Sequence, residues 1–358
     1  MPLPTMDRKR CCANCFGDPA LTRSIIPLLI GKSSTGRRQG DCGYCGNVDV
    51  ITIDPSSLSQ WFEMLIDCYK PDPKGKSLAT LLAEDWCLFD HPKMDEAHAK
   101  ELLAEILNDG EIVRTPFVPV DVPASETPQR WDDLRDEMMH HNRWFLDDPI
   151  DLDRLERLLG QLIAPNEAIV GIAGSWYRSR LLSGDVPFPI DEMGPPPPSR
   201  AGHGRANPAG IPYLYLGSTK TTAVAEVRPH TGEKACVATF QVSSIRAVDL
   251  RNPRKSVSPF ILENAEEIAA LRSGLPLLER LGEELTKPVQ PSGAAFEYIP
   301  SQYLCEFIKK CGYQGVIYRS SVSDGVNLAL FFPEFASPKE DVEVICVDRV
   351  TVDISAAL

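Results

Sequence analysis

The sequence predicts an α+β carboxy-terminal domain carried behind a small four-cysteine module and a helical module. Three observations lead there. Two tight cysteine pairs lie in turn-rich surroundings before residue 55. From Pro55 to about Pro165 apolar residues recur at helical spacing. From Gly171 onward short β-rich runs alternate with helical segments. The expected blocks are therefore 1–55, 56–165 and 166–358.

In the first block, Cys12-x2-Cys15 and Cys42-x2-Cys45 each sit in a knuckle-like turn with glycine or asparagine, CANCFGD and CGYCGN. Four thiolates so spaced suit a closed, zinc-ribbon-like zinc site with a structural role, because no position is left open for water. Two accidental pairs of buried thiols are the plainer alternative. Cys11 reads as a bystander, with a register exchange with Cys12 left open. The total of eleven cysteines is odd and fits reduced thiols better than a disulfide framework.

The second block holds SLSQWFEMLIDCY, SLATLLAEDW, DEAHAKELLAEILNDG, WDDLRDEMMHHNRWF and DLDRLERLLGQLI, all read as helices. Within it Arg135 and His140 have the Arg-x4-His spacing of HEPN ribonucleases, so the module is HEPN-like in that one respect. Five positions apart on a helix, they do not share a face. A solvated charged helix end is the plainer account, and retained nuclease activity stays open.

In the third block PYLYLGS, KACVATFQV, IRAVDL, GVIYRS, NLALFF and VEVICVDRV read as strands, and NAEEIAALRSGLPLLERLG and SQYLCEFIKKCG as helices. EMGPPPPSRAGHGRANPAG is a loop, since four consecutive prolines fit neither a helix nor a central strand. Its glycines miss the G-x-G-x-x-G spacing of a Rossmann phosphate loop.

Net charge limits the partners. The formal charge of −13 repels polyanions, so general nucleic-acid or membrane-surface binding is not expected. The start MPLPTMDRKRCC lacks the apolar core of a signal peptide, and no run is long enough to span a membrane; the chain reads as cytoplasmic. An anionic ligand would have to be held by local arginines.

Such arginines occur in the third block. Arg178 and Arg180 lie in GSWYRSRL, Arg205 in GRANPAG, Tyr215 in YLYLGS, Glu226 in TAVAEVRP, Ser301 in YIPSQYL and Asn327 in GVNLALF. In order and interval this segment, about residues 170 to 335, resembles a RES domain, named for its arginine, glutamate and serine. Longer RES proteins also carry cysteine-paired and helical amino-terminal extensions. The resemblance implies an ADP-ribosyltransferase-like fold, NAD as substrate, and often a toxin neutralised by an antitoxin or immunity protein. Cleavage of the nicotinamide–ribose bond is the implied reaction, with water or phosphate as acceptor. Transfer of ADP-ribose to a macromolecule, or nucleotide sensing without catalysis, are the alternatives.

The chemistry of the residues agrees with that reading. Nicotinamide leaves with its charge neutralised, so it needs no general acid, and one carboxylate suffices where ordinary glycosidases use two. Glu226 is expected to hold the ribose hydroxyls and stabilise the ribosyl cation, with Arg228 keeping it ionised. Arg178 and Arg205 are expected to clamp the pyrophosphate through bidentate bonds, with Arg180 a weaker candidate. Tyr215 would offer its ring to nicotinamide or else serve as sheet core. Ser301 would give its hydroxyl to the nicotinamide amide or to Glu226, or cap the SQYLCEFIKK helix. Asn327 is expected behind these contacts, and His203 and His230 have no matched partners.

Overall fold

The computed structural model describes residues 9–32, 38–120, 128–164, 174–290, 293–339 and 341–351. The stretch MPLPTMDR and the expected boundary at 165/166 lie outside them. By its internal contacts the chain divides into one unit of residues 1–125 and 254–275 and another of residues 126–253 and 276–358.

In the first unit, strands β1 (Cys11–Cys12), β2 (Arg38–Gly40) and β3 (Val50–Ile53) form an antiparallel sheet in the order β1-β3-β2. This sheet brings the two cysteine turns together. The sulfurs of Cys12, Cys15, Cys42 and Cys45 all lie within 4.8 Å of one another, and all four residues are buried. Tetrahedral Zn–S bonds of about 2.3 Å would set sulfurs about 3.8 Å apart, so the cluster fits a single metal ion. Cys11 points elsewhere, as neighbours in a strand must. Its thiol reaches the Ile53 carbonyl, and burial pushes its pKa up.

Helices Ser59–Ile66, Leu78–Trp86 and Glu96–Leu107 supply the core of this unit through Phe62, Leu65, Leu78, Leu82, Leu102 and Ile106. Each of the last two begins at a side-chain cap, Ser77 accepting from the Thr80 N–H and Asp95 from the His98 N–H. Phe260 meets Phe62 with ring centroids 5.2 Å apart, and the Ser258 hydroxyl donates to buried Asp18. One element departs from the helical expectation for this stretch. Tyr69–Ser77 (β4) pairs with Pro116–Pro119 (β5) as a two-stranded ribbon. Prolines 71 and 73 break helical bonding but are tolerated in a ribbon with free edges.

The second unit is built on a nine-stranded sheet. Its strands are β6 (Ile163–Ala164), β7 (Trp176–Leu181), β8 (Leu214–Gly217), β9 (Lys234–Val242), β10 (Ala247–Asp249), β11 (Gly315–Arg319), β12 (Val326–Leu330), β13 (Ala336–Pro338) and β14 (Glu343–Cys346). The order is β13-β9-β7-β8-β12-β11-β10-β6, with β14 also on β9; among the described strands β10 and β11 pair in parallel and the other pairs are antiparallel. Trp176, Leu214, Leu216, Cys236, Ala238, Phe240, Leu328 and Leu330 pack together in the core of this unit, at alternate positions along their strands. The runs read as strands in the sequence are strands, and both predicted helices form, Ala265–Thr286 continuing through Pro276.

In the same unit, helix Pro128–His140 packs against helix Ile299–Lys310 and buries Trp131, Leu134 and Met138. Its polar side holds an ion-pair network. Arg135 donates to Glu284 at 3.2 Å, and Arg280 bonds Asp132 at 2.6 Å while reaching Glu284 at 3.4 Å. The Glu284 side chain is only 2% exposed, so this carboxylate depends on its two arginines. Arg135 and His140 are not brought together. Arg135 is taken by Glu284, while the exposed His140 ring lies by Phe296.

Two outcomes test this account. Cys42→Ser is expected to abolish metal binding and lower the melting point of the amino-terminal unit, read by elemental analysis and calorimetry, while leaving the second unit folded. Glu284→Ala leaves two arginines without their buried partner and is expected to cost about 3–5 kcal/mol in urea denaturation. Arg135→Ala leaves Glu284 one arginine and is expected to cost less.

Candidate functional site

Strands β7 and β8 meet at a single register pair, Tyr177↔Gly217. Continued, the register would set Arg178 opposite Leu216 and Ser179 opposite Tyr215, but these residues are not paired. A cleft of about 320 Å³ opens where the strands part, lined by Tyr177, Arg178 and Ser179 on one side and Tyr215, Leu216 and Gly217 on the other. His203, Arg205, Glu226, Arg228, Tyr298, Tyr318 and Asn327 are among the other residues that line it.

Glu226 reaches the cleft from the last position of a short helix, Lys220–Glu226. Thr219 starts this helix by accepting from the Thr222 N–H. Gly217 lets it pack close, since a Cβ there would sit 2.7 Å from the Ala223 nitrogen. Pro229 follows its end, and Arg228 takes φ +50°, a region costly for a non-glycine residue. The apolar run TAVAEV is thus helical, and Glu226 is exposed rather than buried.

A carboxylate at a helix C-terminus faces the unfavourable end of the dipole. Two donors offset this. Asn327 Nδ2 donates to Glu226 Oε1 at 2.6 Å and Ser320 Oγ donates to the same atom at 2.7 Å. Glu226 Oε2 has no hydrogen-bond partner among the described residues. Arg228, expected to keep the carboxylate ionised, instead donates to the Val289 carbonyl at 3.2 Å and forms no ion pair with Glu226. Asn327, expected behind the site, touches Glu226 directly. Strand β12 sets it opposite Gly217 on β8 and Tyr318 on β11. Ser320 was not singled out in the sequence, because nothing local distinguishes it from its neighbours in SSVSDG.

Arg178 is the cation of the cleft that the fold leaves without a carboxylate or a bond to its Nε among the described residues. Its Nε is buried with no hydrogen-bond partner, and no carboxylate pairs with the guanidinium among the described residues. Desolvation, helped by the charge of Arg180, lowers its pKa to about 10, so it remains a cation at neutral pH. A half-buried cation whose Nε is shut from solvent without a partner is costly, and an anionic ligand would relieve that cost. Arg180 does not share this place, since it donates to the Glu192 carbonyl and stacks on Phe188. Arg205 lies 5.3 Å from the Tyr298 ring and donates one N–H to the Lys287 carbonyl at 2.6 Å, leaving other donors of its fork available.

Tyr215 lines the cleft, but its hydroxyl is engaged. It accepts from the Ala206 N–H and donates to Asn207 Oδ1, and burial pushes its pKa up. Ser301 requires a correction. It is 1% exposed, does not line the cleft, and directs its hydroxyl to the Arg205 carbonyl at 2.6 Å, with the Tyr298 carbonyl at 3.0 Å. It contacts neither Glu226 nor the cleft, and it is not the helix cap, because the helix begins at Ile299 and places it within the first turn. His203 lines the cleft although the sequence suggested no role, whereas His230 does not.

The RES domain family model matches residues 175–351. No match is found among curated proteins. Among solved structures, one chain of the M. tuberculosis MbcT–MbcA toxin–antitoxin complex is 13% identical, covers 54% of this chain and 93% of its own, and superposes with a TM-score of 0.32. At that level of similarity nothing about this chain follows from it. The strands that part, the carboxylate that two side chains hold and the unpaired arginine all fall inside the matched span, and the carboxy-terminal part of the chain, residues 175–351, is a RES domain.

Proposed function

We propose that this RES domain cleaves the nicotinamide–ribose bond of NAD. The observation that carries the reading is Glu226, an accessible carboxylate with one oxygen fixed by Asn327 and Ser320 and the other without a partner, in one cleft with the unpaired cation Arg178.

In this reading the pyrophosphate lies against Arg178 and Arg205, whose forks supply charge-assisted bonds that a chain of charge −13 cannot provide through its general field. Glu226 Oε2 accepts from the hydroxyls of the nicotinamide ribose. As the bond to nicotinamide lengthens, the electron pair moves to the departing ring and positive charge grows on the sugar. The Glu226 carboxylate stabilises that charge more in the transition state than in the ground state, which is the condition for acceleration. Its orientation is set beforehand, so little reorganisation is needed. The rings of Tyr177, Tyr215 and Tyr318 line the same space and offer π faces to the cationic nicotinamide before cleavage. Water or phosphate then attacks the sugar. In the amino-terminal unit, Cys12, Cys15, Cys42 and Cys45 would hold structural zinc. A toxin role with an antitoxin partner is the setting that RES proteins suggest for the activity.

Glu226→Gln retains an oxygen to accept from Asn327 and Ser320 but removes the charge. NAD is expected still to bind while nicotinamide release falls about 10²–10³-fold, measured by chromatography of the products. Undiminished release by this variant would remove Glu226 from the mechanism, and no release by the wild type would end the NAD reading. Radiolabel retained on a macromolecule, instead of on free ADP-ribose or its phosphate, would identify a transferase. Arg178→Ala and Arg205→Ala are each expected to weaken NAD binding by about 1.5–3 kcal/mol in titration calorimetry, with lysine restoring only part of it.

A further inference from the structure

Arg205 sits on a four-residue turn, Gly204–Asn207, that belongs to no helix or strand. A loop residue can serve as a fixed anion contact only if something immobilises its backbone. The Gly204 N–H donates to the Asn207 carbonyl at 2.9 Å, which closes the turn. Side chains from two other elements then bond four more of its polar groups. On one side, the Tyr215 hydroxyl accepts from the Ala206 N–H at 2.9 Å and donates to Asn207 Oδ1 at 2.7 Å. On the other, the first turn of helix Ile299–Lys310 supplies Ser301, bonded to the Arg205 carbonyl, and Gln302. Gln302 Nε2 donates to the Gly204 carbonyl at 2.8 Å and to the Asn207 carbonyl at 3.0 Å.

Gln302 is 6% exposed and does not line the cleft. We propose that Gln302 is a positioning residue for Arg205, its two amide N–H groups locking both ends of the Gly204–Asn207 turn before any ligand arrives. This assignment rests on the reading of Arg205 as a pyrophosphate contact. The residue type matters, because the site needs two donors on one atom. Leucine would take the side-chain donor from the Gly204 carbonyl and leave the Asn207 carbonyl only the Gly204 N–H, and glutamate would set a carboxylate against both. The turn also has no room for another residue at its start: a Cβ on Gly204 would lie 2.2 Å from Asn207 Oδ1 and 2.5 Å from the Tyr215 hydroxyl oxygen. The position of Arg205 therefore depends on three side chains, of which Gln302 alone spans the turn.

The test uses the full chain with Gln302→Leu and Gln302→Glu, the second keeping side-chain volume in case the first fails to fold. Hydrogen–deuterium exchange over residues 201–210 is expected to quicken in both variants and to stay unchanged in Arg205→Ala. The KM for NAD is expected to rise, by up to about 10²-fold, with a much smaller change in kcat. In the Arg205→Ala background Gln302→Leu is expected to add nothing further, because it acts through that arginine. Unaltered exchange, or an equal KM effect with and without Arg205, would overturn the proposal. If the wild type neither binds nor cleaves NAD, that reading fails by itself. The exchange data, with inorganic pyrophosphate as the titrated probe for Arg205, then still decide the role of Gln302: weaker pyrophosphate binding with faster exchange supports it, and unchanged values of both refute it.

Discussion

Strands β7 and β8 are joined at one residue pair, and the candidate site depends on their parting. A fully zipped sheet would carry Arg178 and Ser179 straight past Leu216 and Tyr215, leaving no space between them. Because pairing stops after Tyr177↔Gly217, residues from adjacent strands line a cavity in place of a ladder. The interruption falls in the middle of a nine-stranded sheet, where β9 on one side and β12 on the other hold the two strands in place. The cleft is therefore a fixed feature of the sheet, and it leaves groups such as Arg178 Nε without the partners a continuous core would provide.

Electrostatics makes the same division between framework and site. In the second unit two buried carboxylates are paired with arginines: Glu284 lies between Arg135 and Arg280, and Asp249 holds Arg251 at 2.7 Å. In the cleft the charges are not so paired. Arg178 has no carboxylate partner among the described residues, and Glu226 is held by the neutral donors Asn327 and Ser320. Neutral donors orient a carboxylate without cancelling its charge, whereas an arginine partner would spend that charge before a cationic transition state could use it. The bond of Arg228 to the Val289 carbonyl, with no ion pair to Glu226 among the described residues, is consistent with this requirement.

Much of the fold was legible along the chain. The short β-rich runs KACVATFQV and GVIYRS, helical spacing in DEAHAKELLAEILNDG, and the two C-x2-C pairs are local signals produced by burial or by ligand spacing. The prolines of KPDPKGK were a local signal for a ribbon, yet the surrounding helical periodicity obscured it. Glu226 was legible as a residue but not as a helix terminus, because its helix is only seven residues long and sits between an apolar strand and a proline.

By itself the sequence determined which chemical groups are available: four thiols in two pairs, two arginines before one glutamate, and an acidic chain in which any anion must be held locally. Only the tertiary structure decided which groups face one another. Glu226 meets Ser320 and Asn327 from about a hundred positions away, Gln302 closes a turn formed by residues 204–207, and Arg135 is drawn to Glu284 instead of His140. Ser301, expected at the substrate, supports the arginine loop. The physical reason is that helix and strand periodicity record only whether a side chain is buried. A hydrogen-bond partner is chosen by where the sheet order and the helix ends place distant segments, and no short stretch of sequence encodes that.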